Sequence, residues 1–180
     1  MAQASLFTLP NIVSTSRFAL ALGFVAADGA TVRLALIGVA SLTDVLDGWL
    51  ARRTKVVSRF GALLDPVADR FFVLGVVVSY LAGGQFTPLQ AAMVLFRDVM
   101  SVIGFFVARN VSWLRGVPFS ARILGKLVTG AQLLTFLVVL LQPRFTALMV
   151  WIVAALAVAA TVDYTRMLWR ERTRTSADGN

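Results

Sequence analysis

The sequence predicts an all-α integral membrane protein, a bundle of six transmembrane helices with the N- and C-termini cytoplasmic. Three observations carry that expectation. Of the 180 residues, 58% are hydrophobic, against roughly 45–50% in soluble domains. The apolar residues fall into six runs, each near the ~20 residues that a helix needs to cross a hydrocarbon core. The basic residues crowd into alternate loops, as they do on the cytoplasmic side of a membrane.

The runs cover residues 11–27, 32–51, 66–83, 88–108, 123–142 and 145–165. Asp28-Gly29 ends the first, and the basic stretch Arg52 to Arg59 ends the second. Asp65-Pro66 opens the third, with proline where a helix tolerates it, in the first turn. Gly83-Gly84 closes the third, the segment Val111 to Ser120 follows the fourth, and Gln142-Pro143-Arg144 separates the last two. The second and third runs turn polar at the ends that face each other.

Orientation follows from charge. Arg52, Arg53, Lys55 and Arg59, then Arg109, Arg115 and Arg122, then Arg166, Arg170, Arg172 and Arg174 lie on one side; Arg33 and Arg144 lie on the other. The basic side is therefore cytoplasmic. The net charge of +8 then reflects topology and anionic headgroups rather than nucleic acid, which is not expected as a partner. The N-terminal MAQASLFTLPN has no basic n-region and no small-residue cleavage site, so no signal peptide is expected. The length suits one domain, residues 1–170, with a polar tail at 171–180.

No cysteine and no histidine is present. Disulfides, thiolate sites and the commonest general base are thereby excluded. Chemistry must run on carboxylates, Arg, Lys, hydroxyls and bound metal. Acids are scarce, eight Asp and one Glu, yet Asp44, Asp47, Asp65 and Asp69 fall within 26 residues. Asp44 and Asp47 (i, i+3) share a helix face, as do Asp65 and Asp69 (i, i+4). The short loop between the two helices makes them antiparallel neighbours, with both carboxylate pairs turned to one gap. Hard oxygen donors so arranged suit Mg²⁺ or Mn²⁺, one ion or two. A solvated acidic loop neutralised by Arg52, Arg53 and Lys55 is the plainer alternative. Gly48 permits close approach of a ligand or of another helix; Ala51 and Gly61 extend the small-residue surface. Arg52 is placed to hold a phosphate.

Asp44-x2-Asp47-Gly48-x2-Ala51-Arg52-x8-Gly61-x3-Asp65-x3-Asp69 resembles the CDP-alcohol phosphotransferase signature at every fixed position. The six-span layout, "LPNIVSTSR" and "GKLVTGAQ" are similar to that family as well. The resemblance implies a phospholipid-synthesising enzyme. An acceptor hydroxyl attacks the β-phosphorus of a CDP-linked lipid, CDP-diacylglycerol, and CMP leaves. It implies Asp44, Asp47, Asp65 and Asp69 as ligands to Mg²⁺ or Mn²⁺, two ions, with Asp69 also the catalytic base. It implies a CDP site of Asp44, Gly48, Ala51, Arg52, Gly61, Asn11 and Arg17, although Arg17 could instead snorkel. It also implies a homodimer, and a bacterial inner-membrane enzyme with its active site at the cytoplasmic face.

Arg97 and Asp98 lie midway along the fourth run, where charge marks either a site or a packing ion pair. Arg122 and Lys126 (i, i+4) open the fifth and could grip an acceptor phosphate, or merely flank a span. All four are candidate acceptor-binding residues. The whole chain is most similar to two branches, phosphatidylglycerophosphate synthase, with glycerol 3-phosphate as acceptor, and CMP-forming cardiolipin synthase, with phosphatidylglycerol. The first branch often has a second Lys where this chain has Val128, and an Arg where it has Phe105. "RDVMSVIGFFVAR" resembles the second. Glycerol 3-phosphate ranks first because Arg122 and Lys126 suit a phosphate. A divalent-cation transporter is disfavoured because the acids cluster at one end of the spans rather than along a path across the bilayer. An Asp-rich prenyltransferase is disfavoured because both pairs flank one short loop.

Overall fold

The computed structural model describes residues 9–54, 61–110 and 123–177, with side chains over 14–43, 67–104 and 124–167 and at Leu46 and Trp169. Among these residues there are six α-helices and no strand. They are α1 (Leu9–Ala26), α2 (Ala30–Thr54), α3 (Gly61–Ala82), α4 (Pro88–Asn110), α5 (Ile123–Leu141) and α6 (Thr146–Ala177), with a 3₁₀ turn at Pro143–Phe145 before α6. Each corresponds to one of the six apolar runs.

The described helix junctions obey local chemistry. Gly29 accepts the Arg33 amide at 3.1 Å and so opens α2. α3 closes in a Schellman motif: Gln85 N–H donates to Tyr80 O at 2.8 Å, and Gly84 N–H to Leu81 O at 3.2 Å. Gly84 supplies the left-handed backbone this requires, at φ +73°. α4 opens on a capping box. There Thr87 N–H donates to Gln90 Oε1 at 2.8 Å, and Gln90 N–H to Thr87 Oγ1 at 3.3 Å. Pro88 follows as the first helical residue.

Two boundaries differ from expectation. α3 begins at Gly61, so Asp65-Pro66 lies inside the helix rather than opening it. Pro66, the sixth residue of α3, carries no N–H for the Ala62 carbonyl, so the helix forgoes one backbone bond in its second turn. α6 continues past its apolar run to Ala177, because Arg and Glu are good helix formers outside the membrane as well.

α1 packs most extensively on α3 and also on α2; α5 and α4 both pack on α6. α1 thus packs against both of the helices that carry the aspartates. The α1–α3 crossing is close. A Cβ on Gly75 would lie 3.3 Å from Ala21 Cβ and 3.6 Å from its carbonyl oxygen. Tyr80 is fully buried and centres the core, with Phe24, Phe86 and Phe136 edge-on at centroid distances of 5.6, 5.3 and 6.0 Å. Its hydroxyl donates to Phe136 O at 2.8 Å.

The outer faces are also apolar. Leu22, Trp151 and Leu148 are 63%, 62% and 54% exposed. A helix hydrophobic on all sides is at home in lipid. Leu124–Leu141 and Pro143–Met167 are each long and apolar enough to cross a membrane. The molecule is a helix bundle with two membrane-capable helices.

Candidate active site

The last three turns of α2 and the first turns of α3 carry the signature. Asp44, Asp47, Gly48, Ala51 and Arg52 are on α2; Gly61, Asp65 and Asp69 are on α3. Both helices are unbroken over these positions, so each aspartate pair lies one turn apart along a single helix face. The side chains of residues 44, 47, 48, 51, 52, 61 and 65 lie outside the described residues, as does that of Asn11 on α1. Arg122 lies outside them altogether.

Asp69 is the described member of the cluster. It receives the guanidinium of Arg17 through Oδ1 in an ion pair across the α1–α3 interface. Arg17 is buried, 3% exposed, while 45% of the Asp69 side chain is exposed. A guanidinium removed from water needs a counter-charge and hydrogen bonds to persist. Asp69 supplies both and still presents much of its carboxylate outward. The structure thus joins a residue expected at the nucleotide to the residue expected to take the proton.

Among the described residues no group of three metal-ligating side chains forms; three of the four expected ligands have side chains outside them. The donor chemistry nevertheless fits a hard divalent ion. With no His or Cys in the chain, carboxylate oxygens are the available anionic donors, and Asp69 is open enough to be one.

A second polar group lies between α4 and α5. Asp98, 8% exposed, accepts from Gln132 Nε2 at 2.8 Å and from Arg97 Nη1 at 3.4 Å. Gln132, 1% exposed, also donates to Val94 O at 2.8 Å. Arg97 Nη1 reaches Thr129 Oγ1 at 3.4 Å, and Thr129 in turn donates to Gly125 O at 3.2 Å. Arg97 Nη2 sits against Gly125, 3.1 Å from where a Cβ would be. Arg97 and Asp98 are therefore brought together, and Lys126 is exposed beside Gly125 with no hydrogen-bond or ion-pair partner among the described residues. Val128 is fully buried.

Gly125, Thr129 and Gln132 were not among the expected site residues. Their signal was present: positions i, i+4 and i+7 place three small or polar residues on one face of a mainly apolar helix.

A family model described as CDP-alcohol phosphatidyltransferase matches residues 4–162. The chain is 35% identical over 177 residues to a CDP-diacylglycerol–glycerol-3-phosphate 3-phosphatidyltransferase of Pectobacterium atrosepticum, covering 89% of this chain and 91% of that one. It is 36% identical over 148 residues to a cardiolipin synthase (CMP-forming) of Streptomyces coelicolor, covering 75% and 66%. A relative from Drosophila melanogaster, named probable cardiolipin synthase (CMP-forming), is 32% identical over 148 residues, and the chain spans 46% of its length.

Proposed function

The chain belongs to the CDP-alcohol phosphatidyltransferase family, and from that premise we propose that it transfers a phosphatidyl group from CDP-diacylglycerol to glycerol 3-phosphate, releasing CMP. Arg97, close against Gly125 on the same helix as the exposed Lys126, is the observation that carries this choice. A phosphate monoester bears between one and two negative charges near neutral pH, and two cations suit it better than they suit the single charge of a diester. The match along nearly the whole of the Pectobacterium protein supports the same acceptor.

In this reading Asp44, Asp47, Asp65 and Asp69 hold the divalent ions, which would neutralise the pyrophosphate and the departing CMP. Arg52 and Arg17 lie with Asn11, Gly48, Ala51 and Gly61 along the nucleotide. Asp69 takes the acceptor's hydroxyl proton as that oxygen bonds to the β-phosphorus. The bond from phosphorus to the CMP oxygen breaks and its electron pair leaves with CMP. Arg17 fixes the rotamer of Asp69, so the carboxylate meets the hydroxyl without a search; such preorganisation supplies most of the catalysis in phosphoryl chemistry. Arg97, Asp98, Arg122 and Lys126 form the acceptor side.

The six helices are read as six spans with both termini cytoplasmic and the active site at the cytoplasmic face of a bacterial inner membrane, on the strength of the loop charges. A homodimer is consistent with the exposed small residues Ala155 and Ala159, one turn apart on α6.

Phosphatidylglycerol is the second acceptor reading. Val128 favours it, because the position where a second lysine would serve glycerol 3-phosphate is a fully buried valine. The test is CMP release from CDP-diacylglycerol and Mg²⁺ by the purified enzyme, with each acceptor supplied separately. Release with glycerol 3-phosphate alone supports the first reading. Release with phosphatidylglycerol alone replaces it with cardiolipin synthesis.

A further inference from the structure

We infer that Asp98, Gly125, Thr129 and Gln132 are positioning residues for Arg97, and that the Arg97 guanidinium meets the phosphate of the acceptor. This deepens the acceptor reading above and rests on Arg97 facing the acceptor. It also divides a pair that the sequence treats alike. Both oxygens of the Asp98 carboxylate are engaged and the residue is 8% exposed, so it does not itself reach a ligand.

The bond lengths separate anchor from ligand group. Gln132 donates to Asp98 Oδ2 and to Val94 O at 2.8 Å each, normal for a strong N–H···O bond. Arg97 Nη1 lies 3.4 Å from both Asp98 Oδ1 and Thr129 Oγ1, at the outer limit of hydrogen bonding. The neutral amide therefore holds the carboxylate, and the carboxylate aligns the cation without consuming it. Both long contacts use Nη1. Among the described residues the Nε–H and Nη2 donors of Arg97 make no hydrogen bond, and a quarter of the side chain is exposed.

Gly125 completes the seat. A Cβ there would lie 3.1 Å from Arg97 Nη2, so the guanidinium lies close against the bare backbone and an added methyl would press on it. A guanidinium held by one edge offers its remaining donors as a fork, the geometry that binds phosphate oxygens in pairs. Both acceptors under consideration carry a phosphate. The inference is to that shared chemistry.

The experiment is steady-state kinetics on purified wild type, Gly125→Ala, Thr129→Val and Thr129→Ser. CDP-diacylglycerol is held saturating while glycerol 3-phosphate or phosphatidylglycerol is varied; the donor is then varied in turn. Alanine favours helix over glycine, so Gly125→Ala should leave the melting temperature unchanged or raised. The same change should raise the acceptor KM about tenfold, the value of one hydrogen bond to a charged group, with the donor KM unchanged. Thr129→Val should raise acceptor KM in the same direction, and Thr129→Ser should restore it. If wild type uses only phosphatidylglycerol and its KM responds in this way, the glycerol 3-phosphate reading fails and this inference stands. If the KM for CDP-diacylglycerol rises instead, Arg97 serves the donor and the inference is overturned. Unchanged kinetics, or a fall in kcat alone, also overturn it, leaving the network a packing device. Should Gly125→Ala not fold, the Thr129 pair decides by the same criteria.

Discussion

Arg17 of α1 and Asp69 of α3, 52 residues apart in sequence, form an ion pair in which the cation is buried and the carboxylate is half exposed. The asymmetry sets what each substitution does. Arg17→Met leaves a carboxylate that water can reach, whereas Asp69→Ala takes an ion-pair partner from a buried guanidinium. Asp69→Ala should therefore be the more destabilising, by about 1–3 kcal/mol over Arg17→Met. Thermal denaturation of the two variants in one detergent checks this, and equal losses would mean that the pair is not the seat of the guanidinium.

Gly75 and Ala21 set the distance between the two helices that carry this pair. A Cβ at position 75 meets Ala21 Cβ at 3.3 Å, a contact that a slight shift relieves. Gly75→Ala should be within about 1 kcal/mol of neutral, since helix propensity offsets the crowding. Gly75→Leu must push α1 from α3, costing about 1–3 kcal/mol or more. It should also lower kcat, because Arg17 and Asp69 lie within about two turns of the crossing. Activity and melting temperature measured on both variants test the coupling.

The α3–α4 turn offers the complementary case, far from the aspartates. Gly84 sits at φ +73° and Thr87 caps α4. Gly84→Ala and Thr87→Ala should each cost about 1 kcal/mol. Neither should change kcat or either KM of the folded enzyme, because some 17 residues of α3, about 25 Å of helix, separate the turn from Asp65. An altered KM at equal stability would show that this end of the bundle communicates with the site.

Much of this was legible in the sequence. Residues such as Asp28-Gly29, Gly83-Gly84 and Gln142-Pro143 break helices by their own chemistry, and the structure breaks there. Pro66 misled because proline marks where a helix can start, not where it does. α6 outran its apolar run because hydropathy reads the membrane, not the helix. The Arg17–Asp69 pair was not legible as a pair: each residue was a candidate, but their contact depends on how α1 crosses α3. Gln132 and Thr129 lie in the stretch GKLVTGAQ already read as family-like, but were not expected at the site because uncharged polar residues in a span draw less attention than Arg97 and Asp98. Their helical periodicity is nonetheless visible in the sequence.

In the proposed reading this bundle end performs metal-dependent phosphatidyl transfer with Asp69 as base. The most direct measurement is CMP release from CDP-diacylglycerol with glycerol 3-phosphate, by wild type and by Asp69→Asn, with Mg²⁺ and after chelation. Asparagine keeps the size and can still accept from Arg17, but it cannot take the proton. Activity should vanish on chelation, return with Mg²⁺ or Mn²⁺, and fall at least about a hundredfold in Asp69→Asn, the scale of a lost general base. Full activity in Asp69→Asn, or turnover that survives chelation, would contradict the account.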